Sequence, residues 1–544
     1  MISVEISREE SHPLDRVWLQ VILVLLVAGL VFFFGLTAQD LADNDETRFA
    51  LFGRQMLGSG NFLYATWAGL PYTNKPPLLM WAIAYAGWFL GGVGTLAARL
   101  PSALAGVGTA LLILWLGRQL FRPRTGLLAA LLFCTSYQVF RNARLAQSDM
   151  LLTFFVLLAV VLAVTALQGS KGWTIGGFLA AYAASALAVL TKGPVGFLLP
   201  LLIVSIYLVV TRTWRKVPVW IHLAGLALFG VVAAPWYVLF ASAVGQGTVW
   251  EALWRENVLR YLAGYDHIRP VWYYFPSLFL NFLPWSLGLV PGLIYGFLQF
   301  RRSAMSFSSL WVVVVFIFFT GSSSKRSHFL LPLYPAASLL LAAFIDEQLF
   351  ALRGGWHRFV SRFFTACMVL VTLISLGGFG VTLWRFPEHA SAVLPLLGVG
   401  AVTGALAFWR SRLARWPEAF GLFVAGLVGL TVTASQWTLP LFVAPTSPVV
   451  SATRLVQVAS GRSIVAYRFS KPSIEFFGGP QGAKVIYHYG PRDLRRLLES
   501  ETPILVVTTR RRYEDLPEDI RQRLKPFDEH FRYGNRDVMV LVPS

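Results

Sequence analysis

Charge is scarce in this chain. Of its 544 residues only 13% are Asp, Glu, Lys or Arg, while 56% are hydrophobic. Soluble globular chains carry roughly 25% charge, so the composition excludes a water-soluble globule and leaves a polytopic membrane protein. Cysteine is scarcer still. Cys134 and Cys367 are the only two, and both lie inside apolar runs. That excludes a disulfide framework and a cysteine-based metal finger. A Gly-rich phosphate loop of the G-x-x-x-x-G-K type is missing, so no nucleotide-hydrolysing motor is encoded in that form. No clear internal repeat is visible, which argues against the paired-repeat transporters. Acids are few, 27 against 46 Lys and Arg, for a net charge of +19. In a soluble chain that excess would point to nucleic acid. Here much of it falls in short loops between apolar runs, where positive-inside bias predicts it, and no nucleic-acid partner is expected.

What the chain does have is a succession of apolar runs from Val17 to about Trp437. The first follows a charged leader (Glu5, Arg8, Glu9, Glu10, Asp15, Arg16). It lacks a small-residue cleavage site and reads as a retained helix. Basic clusters fix the topology: Arg118, Arg122 and Arg124; Lys171; Arg212, Arg215 and Lys216; Arg301 and Arg302; Arg353, Arg358 and Arg362; Arg410, Arg412 and Arg415. All are assigned to the cytoplasm. The spans that satisfy this are 17–38, 96–117, 126–141, 150–168, 174–191, 195–211, 220–241, 272–298, 309–321, 330–350, 363–384, 392–409 and 418–438, about thirteen helices. The apolar stretch Pro77 to Gly92 would invert the topology if it crossed. It reads as a re-entrant or interfacial helix, started by Pro76-Pro77 and closed by Gly91-Gly92. An odd count puts the N-terminus inside and the C-terminus outside.

After Pro440 the pattern changes. Short β-like runs at Ser463–Tyr467, Ala483–Tyr487, Ile504–Thr508 and Val538–Val542 alternate with helical stretches at Pro491–Glu499 and Leu516–Leu524. The expected architecture is therefore an α-helical membrane domain over 1–440, with a first outer loop at 39–95, followed by a small α/β domain over 441–544 on the periplasmic side.

This topology gathers unusual polar residues on one face. Asp43, Asp45, Glu46, Tyr72 and Lys75 lie in the first outer loop, and Asp149 at the next outer turn. Lys192 sits in the turn Thr191-Lys192-Gly193-Pro194. The loop from Val244 to Val271 carries Glu251, Arg255, Glu256, Asn257, Arg260, Asp266, His267 and Arg269. Lys325, Arg326 and His328 occupy the turn after it. Ordinary readings exist for each: Asp149 as a helix N-cap, Lys192 snorkelling to the interface, Lys325-Arg326 on lipid headgroups, and His267 as a plain loop histidine. None of them explains the gathering. Acids and cations at a membrane edge suit a substrate whose phosphate is held by cations while its tail stays in the bilayer. A carboxylate would then deprotonate a nucleophile or stabilise oxocarbenium charge.

Asp45-Glu46-Thr47-Arg48-Phe49 together with Asn74-Lys75-Pro76-Pro77 resembles the D-E-x-R-Y and E-K-P-P pair of membrane glycosyltransferases of the GT-C fold. Arg99-Leu100-Pro101-Ser102, Thr191-Lys192-Gly193-Pro194 and Leu330-Leu331-Pro332-Leu333-Tyr334-Pro335 resemble further motifs of that group. Within it the chain is similar to the bacterial lipid A aminoarabinose transferases and, more distantly, to protein O-mannosyltransferases. The resemblance implies an inner-membrane enzyme that takes a sugar from a polyprenyl-phosphate donor, inverts its anomeric centre and passes it to lipid A or a related glycolipid. It implies Asp45 and Asp149 as the catalytic acids and Lys75, Arg260 and Arg326 on the donor phosphate. Glu46, Tyr72, Lys192, Asn257, His267 and Lys325 would line the substrate. Membrane lipids and the two substrates are the partners, and a monomer is expected. Asn74 stands where the usual Glu precedes Lys-Pro-Pro, which weakens any divalent-metal site, and Phe49 replaces the usual Tyr. The acceptor stays open between lipid A, a glycan hydroxyl and a protein hydroxyl. A lipid or sugar transporter is the alternative of another class.

Overall fold

The computed structural model describes residues 15–42, 45–169, 171–264, 266–350, 355–440, 447–469, 471–479, 484–488, 490–500, 502–533 and 536–544. The charged leader up to residue 14, Asp43, Arg353 and the start of the strand expected at Ala483 lie outside the described residues. Each of the thirteen apolar segments named above is helical. Among the described residues nine helices are long and apolar enough to cross a membrane. A bent pair, Val271–Asn281 and Ser286–Leu298, turning by 112°, makes a tenth. Three shorter apolar helices, Val17–Phe33, Pro123–Cys134 and Val195–Val210, occupy the remaining expected spans. The chain is a multi-pass membrane protein.

Two of the expected spans are interrupted, for local reasons. The segment expected at 126–141 is two helices, Pro123–Cys134 and Tyr137–Ala143. Thr135 and Ser136 at the break both donate their hydroxyls to carbonyls four residues back, at 2.7 Å. Such back-bonding competes with helix continuation. The segment expected at 272–298 bends around Pro284, whose ring removes a helical N–H. Trp285 then donates its indole N–H to Thr135 Oγ1 at 3.0 Å, so the two breaks face each other. The stretch 78–89 behaves as expected of a non-spanning element. It is a helix of 12 residues, Leu78–Phe89, near 18 Å long at 1.5 Å per residue, short of a ~30 Å hydrocarbon core. Gly91, at φ +76, and the Gly92 N–H bonded to the Gly87 carbonyl at 2.7 Å close its end, a left-handed cap that a side chain would strain.

By compactness the chain forms two units. One comprises the chain up to Phe34, Ser102–Arg144 and Ser148–Ser435; the other comprises Gly35–Pro101, Leu145–Gln147 and Gln436–Ser544. Within the first, Ser327–Phe350 is the innermost helix, 89% buried, whereas His357–Arg385 and Pro387–Arg412 are only 17% buried and leave most of their apolar surface open. The second holds the helix Asp45–Ser59, the antiparallel pair β1 (Thr66–Trp67) and β2 (Leu70–Pro71), and helix Leu78–Phe89. It also holds a five-stranded sheet of β3 (Ser463–Tyr467), β4 (Val485–His488), β5 (Ile504–Thr508), β6 (Leu524–Tyr533) and β7 (Arg536–Pro543), in the order β4-β3-β5-β7-β6. β3 runs parallel to β4 and β5, and β7 antiparallel to β5 and β6.

Alternate residues of β5 enter opposite cores. Leu505 and Val507 pack with Leu455, Ile464 and Val540, while Ile504 and Val506 pack with Val465, Leu494 and Leu541. A strand covered on both faces reads as a continuous apolar run, which is why Ile504–Thr508 was legible. β6 was not. The helix expected over Leu516–Leu524 is only Glu518–Arg521, and β6 follows it. Its sequence, Leu-Lys-Pro-Phe-Asp-Glu-His-Phe-Arg-Tyr, is polar, contains Pro526 and breaks register twice. Those are properties of an edge strand.

Candidate functional site

Within the second unit the helix Asp45–Ser59 carries both acids in its first turn, where unsatisfied N–H groups favour carboxylates. Glu46 is 1% exposed. Arg99 grips it with two bonds, Nε to Oε1 at 3.0 Å and Nη2 to Oε2 at 2.9 Å. The Ala42 and Ala146 backbone amides donate to the same two oxygens at 2.8 Å each. Arg99 in turn donates to the carbonyls of Leu36, Gln39 and Asp40, all at 2.8 Å. Glu46 had been expected against the substrate. The structure instead uses its carboxylate to tie the loop's entry to the helix, and the Arg99-Leu100-Pro101-Ser102 motif supplies the other half of that tie.

Asp45 points elsewhere. Its side chain is a third exposed and meets Arg48 Nη1 at 3.3 Å. The Arg48 guanidinium lies 3.9 Å over the Trp67 ring on β1. Tyr72 is buried, its ring 4.6 Å from that of Phe52. Phe49, in place of the usual Tyr, packs edge-on against Phe52 at 6.4 Å. Asn74 and Lys75 are half-buried and both engage neighbours.

Within the first unit, Asp149 opens helix Ser148–Ala166 and Lys192 closes helix Lys171–Lys192. The Lys192 ammonium hydrogen-bonds to Asp149 Oδ1, with Asp149 buried and Lys192 mostly so. His328 Nε2 lies 3.8 Å from the other carboxylate oxygen, and the Phe329 ring sits 4.6 Å beneath the ammonium. Gly193 holds the turn at φ +85, and a Cβ there would stand 3.1 Å from Asn257 Oδ1. Both the backbone conformation and the close approach therefore require glycine.

The stretch 246–262 is helical, with a π-turn at Trp254–Leu259. Arg260, expected on a donor phosphate, is bracketed by acids. Its Nη1 donates to Glu256 at 2.8 Å, and its Nε to Asp266 Oδ1 at 3.1 Å with Nη2 on the second oxygen. Partial burial opposes charge on Asp266, but the bonds and charge of Arg260 and a bond from Ser324 outweigh it and hold the carboxyl below the usual range. Lys325 is 4% exposed, and its ammonium donates to the carbonyls of Ser322 and Arg269. Burial lowers its pKa. Those bonds hold it inside the turn. Arg326 Nη2 meets His267 Nε2, and burial and the Arg326 charge lower the His267 pKa. That favours the neutral imidazole.

Of the expected residues, then, the structure joins Asp149 with Lys192, and His267 with Arg326. It adds His328, Asp266, Glu256 and Arg99, to which no role had been given. Glu256 left a local signal, its i, i+4 spacing to Arg260, and Arg99 opens one of the motifs quoted above. Among the described residues no three of His, Cys, Asp and Glu gather as a metal-holding group, so the side chains present do not form a ligand set.

Comparison with known proteins supplies the rest. Residues 74–238 match the family described as dolichyl-phosphate-mannose-protein mannosyltransferase. The undecaprenyl phosphate-alpha-4-amino-4-deoxy-L-arabinose arabinosyl transferase of Pseudomonas aeruginosa is 32% identical over 410 residues, 72% of each chain. That of Edwardsiella ictaluri is 30% identical over 399 residues, 71% of each. The crystal structure of ArnT from Cupriavidus metallidurans bound to undecaprenyl phosphate superposes with a TM-score of 0.74 at 21% identity, covering 96% of this chain and 97% of that one, a likeness of fold. This chain is a membrane glycosyltransferase and belongs to the undecaprenyl phosphate-4-amino-4-deoxy-L-arabinose arabinosyl transferase family.

Proposed function

We propose that the chain moves 4-amino-4-deoxy-L-arabinose from undecaprenyl phosphate to lipid A, with inversion, at the periplasmic face of the bacterial inner membrane. It works as a monomer with its N-terminus cytoplasmic, residues 1–440 as the transferase domain and 441–544 as a periplasmic α/β domain. The observation that carries this reading is the 32% identity, over 410 residues, to a Pseudomonas aeruginosa enzyme whose name states that donor. The polar clusters of both units support it, because buried charge in so apolar a chain marks function by default.

In this reading the bond between the anomeric carbon and the carrier's phosphate oxygen breaks, and an acceptor oxygen takes that carbon from the opposite face. A lipid A phosphate is already anionic and needs no strong base. Asp45 then balances the positive charge that develops on the sugar. Lys75 and Arg326 hold the departing phosphate; Arg326 is preferred to Arg260, which two carboxylates already neutralise. Lys192 lines the sugar or acceptor pocket, its position fixed by Asp149 and Phe329. Glu46 and Lys325 act as structural supports.

The test is expression in a bacterium that makes the donor lipid but lacks its own transferase, followed by mass spectrometry of lipid A. Addition of an aminopentose is expected, and its loss in Asp45→Asn. Unmodified lipid A beside an accumulated donor would rule the acceptor out. The match of 74–238 to protein mannosyltransferases favours a hydroxyl acceptor as the second reading, with Asp45 as general base. Sugar found on protein rather than on lipid A would select it.

A further inference from the structure

Helix Leu78–Phe89 ends in a cluster of exposed aromatic rings. Tyr85, Trp88 and Phe89 are 62%, 63% and 66% exposed and touch one another, with centroids 4.8 to 5.9 Å apart. Aromatic rings of this kind settle at headgroup depth. Directly after them the chain turns through Gly91, Gly92 and Gly94, and beside that turn opens a shallow groove of about 510 Å³ whose other wall is Arg54, Leu57 and Gly58. No heavy atom stands within 4 Å of where a Cβ would be on any of these four glycines.

One lining residue is charged. The Arg54 guanidinium lies 3.6 Å from the Phe476 ring and donates to the carbonyls of Phe476 at 2.6 Å and Val93 at 3.4 Å. Both acceptors are neutral, and among the described residues no carboxylate pairs with it. A guanidinium has five donors, so a fixed, uncancelled cation with N–H groups to give borders the groove. Unlike Arg260, it is placed to take an anion.

We propose that this groove is the acceptor's entry subsite: Arg54 binds a phosphate on the headgroup of a phosphorylated glycolipid while its acyl chains lie against Tyr85, Trp88 and Phe89. The proposal rests on the acceptor reading above and adds a location to it. The wide glycine-rimmed opening suits a sugar headgroup, and the neighbouring rings suit a ligand that stays anchored in lipid.

The experiment measures binding of lipid A to the purified full chain in phosphatidylcholine nanodiscs. Two variants are used, Arg54→Gln and Gly58→Phe. The second adds bulk to the groove, has no positive φ to strain, meets no heavy atom within 4 Å at its Cβ and keeps the Arg54 side chain, so it reads the groove even if Arg54→Gln fails to fold. Each folded variant should weaken lipid A binding about tenfold or more, in keeping with loss of a charge-assisted phosphate contact, and leave undecaprenyl phosphate binding unchanged. Dephosphorylated lipid A should bind the unaltered chain as weakly as lipid A binds the variants. Unchanged lipid A affinity in Gly58→Phe overturns the proposal. So does equal loss for undecaprenyl phosphate, or equal competition by phosphatidylglycerol or inorganic phosphate. If lipid A binds this way but receives no sugar, the groove stands and the assigned reaction fails.

Discussion

Arg99 holds Glu46 with two parallel bonds across 53 residues of sequence, and both partners are buried. Two backbone amides and three carbonyls complete the arrangement. The pair therefore orders the segment from which Asp45 projects, and the two adjacent acids do different work.

That division is measurable. Arg99→Met leaves a buried carboxylate without its cation and should cost about 3–5 kcal/mol, read as a large drop in the thermal midpoint in detergent. Arg99→Lys should recover only part, since a lysine cannot reproduce the fork. Asp45→Asn should shift stability by at most about 1 kcal/mol, because its partner Arg48 is met at a partly exposed site, while sugar transfer falls to background. A stable Asp45→Asn protein with normal transfer would remove Asp45 from the reaction.

Asp149 and Lys192 should behave as a coupled pair. Lys192→Met strands Asp149 and Asp149→Leu strands Lys192, each destabilising by about 3–5 kcal/mol, whereas the double variant regains much of the loss. Transfer should stay low in all three. A double variant that regains transfer with stability would make the pair purely structural.

The two arginines offered for the donor phosphate should separate kinetically. Arg326→Gln is expected to raise KM for the polyprenyl-phosphate sugar at least tenfold. Arg260→Gln is expected to leave that KM within about twofold and to increase hydrogen exchange across 246–262, because its bonds run to Glu256 and Asp266. The reverse pattern would restore Arg260 as the phosphate ligand.

Acid should loosen the same loop in two stages. His267 has a depressed pKa, so the unfolded loop takes up protons first and stability falls as pH drops below 6.5. Asp266 is also depressed. Its contribution is present above 3.8 and is lost as pH falls through the lower folded value. Glu475 has the opposite sign, since burial raises its carboxyl despite the bonds to Gln55 and Tyr487. Its charge burdens helix Pro472–Gly478 increasingly as pH rises past 4.5, and Glu475→Gln should slow exchange there at neutral pH. Protection factors, corrected for the intrinsic slowing of amide exchange in acid, followed from about pH 2.5 to 8 would separate the three; greater protection across 246–270 in acid would contradict the first two.

The sequence by itself determined the class of the molecule. Apolar runs separated by basic clusters can bury their backbone in lipid only as helices, so the helical positions were legible one by one. The doubly covered strands Ser463–Tyr467 and Ile504–Thr508 announced themselves through unbroken apolar runs, while edge strand Leu524–Tyr533 left no such trace. Motif resemblance marked Asp45, Lys75 and Lys192. What the tertiary structure alone decided is which charges remain available. Glu46, Arg260 and Lys325 were expected on the substrates from the family resemblance and from the gathering of charges on one face. Arg99 takes up Glu46, Glu256 and Asp266 take up Arg260, and two backbone carbonyls take up Lys325. Arg54 drew no notice in sequence, and stands beside a groove with its charge uncancelled. Arg99 and Glu46 lie 53 residues apart, and Lys325 and the Arg269 carbonyl 56, so no local pattern encodes those contacts; the six-residue step from Arg260 to Asp266 is not a helical spacing either.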